Sequence, residues 1–176
     1  MTFEEKTISS EVIYEGKVLT LRKDKVETVN GEGYREIIEH GGGACMIALT
    51  KTGKMLMVRQ YRKAAGRDVF EIPAGKIEKG EDPAVTAKRE LKEETGYTAR
   101  DVKFLTKFYP SVGYDEEVLY LYVCRDLVPG KTDFDDSEAL EIEEWDVQTL
   151  YEMVMDGKIE DAKSIIAILM IHALFI

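Results

Sequence analysis

The sequence predicts a mixed α/β fold in which a small antiparallel β-sheet precedes a larger domain of strands interleaved with a few helices. Three observations predict it. Short runs rich in β-branched and aromatic residues recur between turn signals from Thr7 to Trp145, while only three stretches carry helical spacing. Between the early strands and the rest, Gly41-Gly42-Gly43 interrupts the pattern. This divides the chain into an N-terminal β-region over residues 1–40 and a main domain over residues 41–176.

In order, Thr7 to Tyr14 and Val18 to Val29 read as strands, and Asn30-Gly31 followed by Gly33 makes a turn into the strand YREIIEH. After the glycine run, Ala44 to Leu49 and Met55 to Tyr61 pair across the turn Lys51-Thr52-Gly53-Lys54. Asp68 to Ile72 continues as a strand, and Pro73 and Gly75 open a loop. A helix follows, then strands near Val102 to Phe108, Val118 to Cys124 and Ala139 to Trp145. Helices near Val147 to Met155 and Asp161 to Phe175 close the chain. The apolar run in the last helix, SIIAILMIHALFI, is about 13 residues long, against the roughly 20 a bilayer span requires, so we expect it to be buried in protein.

The central helix carries the chemistry. Asp82 suits its N-cap, Pro83 its first position, and Gly96 the left-handed residue that ends it. Ala84, Ala87 and Leu91 repeat at helical spacing and face a core, whereas Glu90, Glu93 and Glu94 project from a neighbouring face. Like charges three and four residues apart repel, and a hard divalent cation relieves that repulsion. A solvated acidic face with an Arg89–Glu93 pair is the bland alternative. The glycine loop in front of the helix, with the full spacing, favours the cation.

From Gly75 through Glu81 to Arg89-Glu90-Leu91-Lys92-Glu93-Glu94-Thr95-Gly96-Tyr97, the sequence resembles the Nudix box of the Nudix hydrolases. Tyr97 stands where the family more often has an aliphatic residue. The stretches VRQYRKAAGRDVFEIPAGKIEKGE, FYPSVGYDEEVLYLYV and DAKSIIAILM extend the likeness to the ADP-ribose pyrophosphatase branch over most of the chain. This resemblance implies a Nudix-like α/β/α sandwich with a mixed sheet, Mg²⁺-dependent cleavage of a nucleoside diphosphate derivative, and Mn²⁺ as a substitute ion. It also implies a homodimer whose N-terminal strands help form the partner's site.

Pyrophosphate cleavage needs charge neutralisation, an activated water and an aligned leaving group. The resemblance assigns Glu90 and Glu94 as principal metal ligands, Glu93 as an additional one and the Ala74 carbonyl as a further donor. Arg89 orients these carboxylates, and Glu81 is a structural partner to a loop amide or to Arg89. The loop Pro110 to Glu117 offers Asp115, Glu116 and Glu117, of which the family reading favours Glu117 as general base. Along VRQYR, Arg59 and Tyr61 share one face while Gln60 and Arg62 share the other. The resemblance makes Arg62 the diphosphate contact, places Arg35 near the nucleoside, and offers Tyr114 as a stacking surface.

Two departures bear on substrate choice. Where the branch usually has Ser-Pro-Gly, this chain has Ser111-Val112-Gly113 with Pro110 displaced, and Gly41-Gly42-Gly43 stands where relatives often carry a proline. The expected reaction is ADP-ribose to AMP and ribose 5-phosphate. Other nucleoside diphosphate sugars, nucleoside triphosphates and a non-catalytic nucleotide-binding module are the alternatives.

Composition fits a small-molecule enzyme. At 176 residues and 44% hydrophobic content the chain can bury a sizeable core, and its net charge of −10 argues against nucleic-acid or anionic-membrane partners. Cys45 and Cys124 lie in apolar strand-like runs without metal spacing, so we expect buried thiols and a cytoplasmic protein. His40 and His172 read as structural histidines.

Overall fold

A computed structural model describes residues 3–133 and 139–175. The chain forms two compact units, one built from the segment ending at Gly42 together with Tyr109–Val118, the other from Gly43–Phe108 and the segment from Leu119 onward. In the first, β1 (Thr7–Glu15), β2 (Leu19–Thr28) and β3 (Gly31–His40) make an antiparallel meander in the order β1-β2-β3. The turn between β2 and β3 falls at Val29-Asn30, one residue before the expected Asn30-Gly31, and Gly31 opens β3 with a positive φ of 119°. Ile38 N–H donates to the Tyr114 carbonyl and Glu116 N–H to the Ile38 carbonyl, which ties the Tyr109–Val118 loop to β3.

The second unit contains β4 (Gly43–Ala48), β5 (Met55–Arg62), β6 (Arg67–Glu71), β7 (Ala74–Lys76), α1 (Pro83–Thr95), β8 (Tyr97–Phe108), β9 (Leu119–Pro129), β10 (Leu140–Trp145), α2 (Val147–Met155) and α3 (Ala162–Phe175). Its central sheet has the order β7-β4-β9-β8 and is mixed, since β4 runs parallel to β9 while its pairing with β7 is antiparallel. A second antiparallel sheet has the order β10-β5-β6.

Period-two alternation sends the two faces of β4 and β9 into different cores. Cys45, Ile47, Leu121 and Val123 pack with Met55, Met57, Leu150, Ile168 and Ile171, so β5, α2 and α3 cover that face. Ala44, Met46, Tyr122 and Cys124 pack with Ala87 and Leu91 of α1 on the other. A sheet covered by helices on both sides is the expected α/β/α arrangement, and it explains why β4 is buried along its whole length. Both cysteines are thiols within these cores, and burial pushes Cys124 up to about 12, which removes it as a nucleophile.

The sequence reading located these strands and helices but not β7. That segment is three residues long and follows a proline, too short for any periodic signal. The last helix packs on its own unit through Ala167, Ile168 and Ile171, leaving Leu169 and Leu174 exposed. Among the described residues no helix is long and apolar enough to cross a membrane.

Candidate active site

β7 and α1 build the site together. Asp82 caps α1 by accepting the Ala84 N–H at 2.7 Å, Pro83 occupies the first helical position, and Gly96 ends the helix at φ 73°. Both ends of the helix are thereby fixed, which sets the heights of Glu90, Glu93 and Glu94 against the neighbouring strand.

At β7 the backbone comes close to those carboxylates. A Cβ placed on Gly75 would lie 1.8 Å from Glu90 Cδ and 2.0 Å from its Oε1, so only glycine lets the Glu90 carboxylate rest there. One residue earlier, Ala74 N–H donates to Glu94 Oε2 at 3.0 Å. Met46 N–H bonds the Pro73 carbonyl, and by ladder parity the Cys45 and Ala74 pair is then the non-hydrogen-bonded kind. The N–H and C=O of Ala74 both turn away from β4, and the N–H reaches Glu94. The Ala74 carbonyl is consequently directed to the same side as the buried Glu94 carboxylate.

Arg89 holds the remaining acids. Its Nη1 donates to Glu90 Oε1 at 2.8 Å and to Glu93 Oε2 at 3.0 Å, while Nε and Nη2 grip Glu81 at 3.2 and 3.0 Å. Nη2 also donates to the Lys76 carbonyl at 3.2 Å, which joins α1 to the end of β7. These bonds, that to Glu81 foremost, raise the guanidinium pKa further above its ordinary range. Glu81 in turn is lowered from 4.5 to about 2, chiefly by Arg89, with the Thr86 hydroxyl and the Glu78 N–H adding to that pull. Both expected partners of Glu81, a loop amide and Arg89, are therefore present.

The donor set suits a hard ion. Three carboxylates and one carbonyl offer only oxygen, and Mg²⁺ typically takes one or two carboxylates with water and substrate phosphate completing its shell. Among the described residues no group of three or more acidic, His or Cys side chains is disposed to hold a metal ion, so Glu90, Glu93 and Glu94 do not form a ready-made ligand set in this structure. Arg89 lies between Glu90 and Glu93 and relieves the repulsion that the sequence predicts for them.

The other expected site residues fall into both units. In the second, Arg62 makes a bidentate pair with the buried Glu71, Nε to Oε1 at 2.6 Å and Nη2 to Oε2 at 2.8 Å. Arg59 lies over the Phe70 ring and bonds Glu143 at 3.2 Å, occupying it on the opposite face of the strand. In the first unit, Arg35 pairs with Glu5, Tyr114 is exposed, and Glu116 accepts from Arg22 at 2.7 Å. Glu117 lies 3.3 Å from His40 Nδ1, the same nitrogen that accepts the Gly42 N–H at 3.1 Å.

Sequence reasoning missed Glu71 and Lys163. Lys163 bonds Glu71 from 92 positions away, and no local spacing advertises such a contact. The one available signal was a lone glutamate within an otherwise apolar strand end, FEI, which has to be paired if it is buried.

Comparison with known proteins decides what this geometry belongs to. The NUDIX domain model matches residues 39–167, and that of the nucleoside diphosphate sugar hydrolase N-terminal domain matches residues 5–35. The chain belongs to the Nudix hydrolase family. This Nudix pyrophosphohydrolase is 42% identical to an ADP-ribose pyrophosphatase of Bacillus subtilis, over 95% of its own length and 92% of that protein's. It is also 42% identical to a methanol dehydrogenase activator of Bacillus methanolicus, covering 94% of this chain and 91% of that one. An ADP-ribose pyrophosphatase of Mycobacterium tuberculosis is 33% identical, with 95% and 83% of the two chains covered. The crystal structure of an ADP compounds hydrolase shares the fold, with a TM-score of 0.87 at 21% identity over 99% of this Nudix hydrolase and 95% of that chain.

Proposed function

We propose that this Nudix hydrolase cleaves ADP-ribose with Mg²⁺, Mn²⁺ being able to substitute, to give AMP and ribose 5-phosphate. Water adds to one phosphorus of the diphosphate, and the bridging P–O bond breaks. The observation that carries this reading is the placement of Glu90 against Gly75 and of Glu94 on the Ala74 N–H, which brings both carboxylates to β7. Relatives named for ADP-ribose, two of them at least 33% identical across this chain, support the substrate.

Glu90, Glu94 and the Ala74 carbonyl are the groups that would hold the ion, with Glu93 as an additional ligand. When bound, Mg²⁺ offsets the diphosphate charge and makes water a stronger nucleophile at neutral pH. Arg89 fixes the carboxylates rather than touching substrate, because its donors are already committed to Glu81, Glu90, Glu93 and the Lys76 carbonyl. Arg62 contacts the diphosphate, Arg59 has a lesser role in substrate binding, and Arg35 and Tyr114 serve the nucleoside. Glu117 accepts the proton from water, ahead of Glu116, as the likeness to the family favours. The enzyme acts as a homodimer in the cytoplasm, the latter in keeping with two buried thiols.

A second reading has its own support. The match of residues 5–35 to a nucleoside diphosphate sugar hydrolase N-terminal domain favours a wider range of sugars. Incubation with Mg²⁺ and a panel of ADP-ribose, other ADP-sugars, GDP-mannose, dinucleotides and triphosphates, with product identification, separates the two. Fastest turnover of ADP-ribose to AMP and ribose 5-phosphate is expected. Preference for another sugar moves the assignment to the second reading, and an inert panel overturns both.

A further inference from the structure

The Arg62–Glu71 pair has a third member. Lys163, at the start of α3, donates to Glu71 Oε2 and to Asp161 Oδ1, the latter at 3.0 Å. Glu71 and Lys163 are both largely buried, with side-chain exposures of 3% and 11%, whereas Arg62 is 44% exposed. A buried ion pair survives only when its geometry is good and its remaining polar atoms are satisfied. Here every group has a task. Asp161 Oδ2 accepts from Ser164 N–H at 3.0 Å and from Ser164 Oγ at 2.5 Å, and the same hydroxyl accepts Ile72 N–H at 2.8 Å. The beginning of α3 is thus tied to the residue that follows Glu71.

The stoichiometry of charge is informative. Two cations, Arg62 and Lys163, face two carboxylates, Glu71 and Asp161, and Asp161 also serves the first turn of α3, where anions are favoured. Glu71 engages Nε and Nη2 of Arg62 and so fixes the plane of the guanidinium. Among the described residues no hydrogen bond from Nη1 is seen, and the Arg62 side chain is partly exposed. A bare Arg62–Glu71 pair would be neutral and would attract an anion weakly. Lys163 draws on the same carboxylate from a buried position, where water screens it little, and so keeps Glu71 from fully neutralising Arg62.

We propose that Glu71 and Lys163 are positioning residues that hold Arg62 as a fixed donor, its charge only partly offset by Glu71, for the diphosphate of the substrate. This rests on the assignment of Arg62 to the diphosphate given above. Because an anchored diphosphate contact is present in ground state and transition state alike, its loss raises KM and leaves kcat nearly intact. A residue that merely stabilised the fold would lower the active fraction, which reduces kcat at constant KM.

The experiment is a double-mutant cycle between Lys163→Met and Arg62→Ala, with Glu71→Gln as an independent probe of the same pair. For each variant, KM and kcat for ADP-ribose are measured at saturating Mg²⁺, and ADP binding is measured by calorimetry. Lys163→Met is expected to raise KM about 10-fold, equivalent to about 1.4 kcal/mol, with kcat within about twofold. In the Arg62→Ala background the same change is expected to add less than about twofold, since its beneficiary is gone. Equal KM penalties in both backgrounds, or a loss confined to kcat, overturn the proposal. If the wild-type enzyme cleaves a different diphosphate, the substrate reading fails while the cycle runs unchanged on ADP binding. A protein that neither cleaves nor binds a nucleoside diphosphate overturns both.

Discussion

Gly75 and Glu94 show how single atoms set the geometry of this site, one by lacking a side chain and the other by spending an oxygen on a backbone amide. A methyl group at position 75 would meet all three terminal atoms of the Glu90 side chain within 2.3 Å, closer than real contacts allow, so the carboxylate would have to leave. At position 94 an amide keeps shape and can still accept the Ala74 N–H, but it removes the charge a cation needs. We therefore predict that Gly75→Ala and Glu94→Gln both lower kcat at least about 100-fold at saturating Mg²⁺ while circular dichroism shows intact folds. Their dependence on metal concentration should differ. Gly75→Ala keeps the charge count and is expected to recover part of its activity as Mg²⁺ is raised, whereas Glu94→Gln is not. Near-normal turnover by Glu94→Gln would remove that carboxylate from the site.

At the scale of elements, the junction between β7 and α1 depends on ionisation of Glu81. Its carboxyl drops from 4.5 to about 2, first because Arg89 bonds it, with burial opposing and the Thr86 and Glu78 donors assisting. A depressed folded-state pKa means that the stabilisation is complete above the unfolded value and is lost as pH falls through the folded one. The window thus runs from about pH 4.5 down to about 2. Glu71 acts with the same sign: burial pushes it up, but Arg62 and Lys163 outweigh burial and leave it lowered. Thermal unfolding of Glu81→Gln against wild type should show the largest Tm deficit near neutrality and a shrinking one below about pH 4. A deficit independent of pH would mean that shape rather than charge holds the junction.

The same elements show what a sequence can and cannot carry. The α1 site was legible because its caps, its apolar stripe and its three glutamates all lie within 15 residues of one another, Asp82 to Gly96, where helical periodicity converts spacing into geometry. β4 and β5 were legible for a related reason, since buried strands read as continuous apolar runs. β7 was illegible because pairing with β4, not its own composition, makes it a strand. Lys163 on Glu71 and His40 beside Glu117 were illegible for a third reason: chain folding supplies those neighbours, and local pattern does not.

For the molecule as a whole, the unsettled face of the N-terminal sheet argues for a second copy. β1 is an edge strand, every one of its residues is exposed, and Ile8, Val12, Ile13 and Tyr14 are among them, distributed over both faces by register shifts at Thr7/Ser9 and Val12/Tyr14. An edge carrying that much apolar surface invites pairing unless it is charged, twisted away or covered. Closed symmetry offers the simplest cover, since one self-complementary contact satisfies both copies. We predict that light scattering after size exclusion gives twice the chain mass. A Val12→Glu, Ile8→Lys double variant should give the monomer, because each copy would have to bury two charges against apolar neighbours. If the N-terminal strands also complete the partner's site, the monomeric variant should lose ADP-ribose turnover about tenfold or more while retaining its circular dichroism. A monomeric wild type would refute the dimer. A monomeric variant with full turnover would instead keep the dimer and free each active site from its partner.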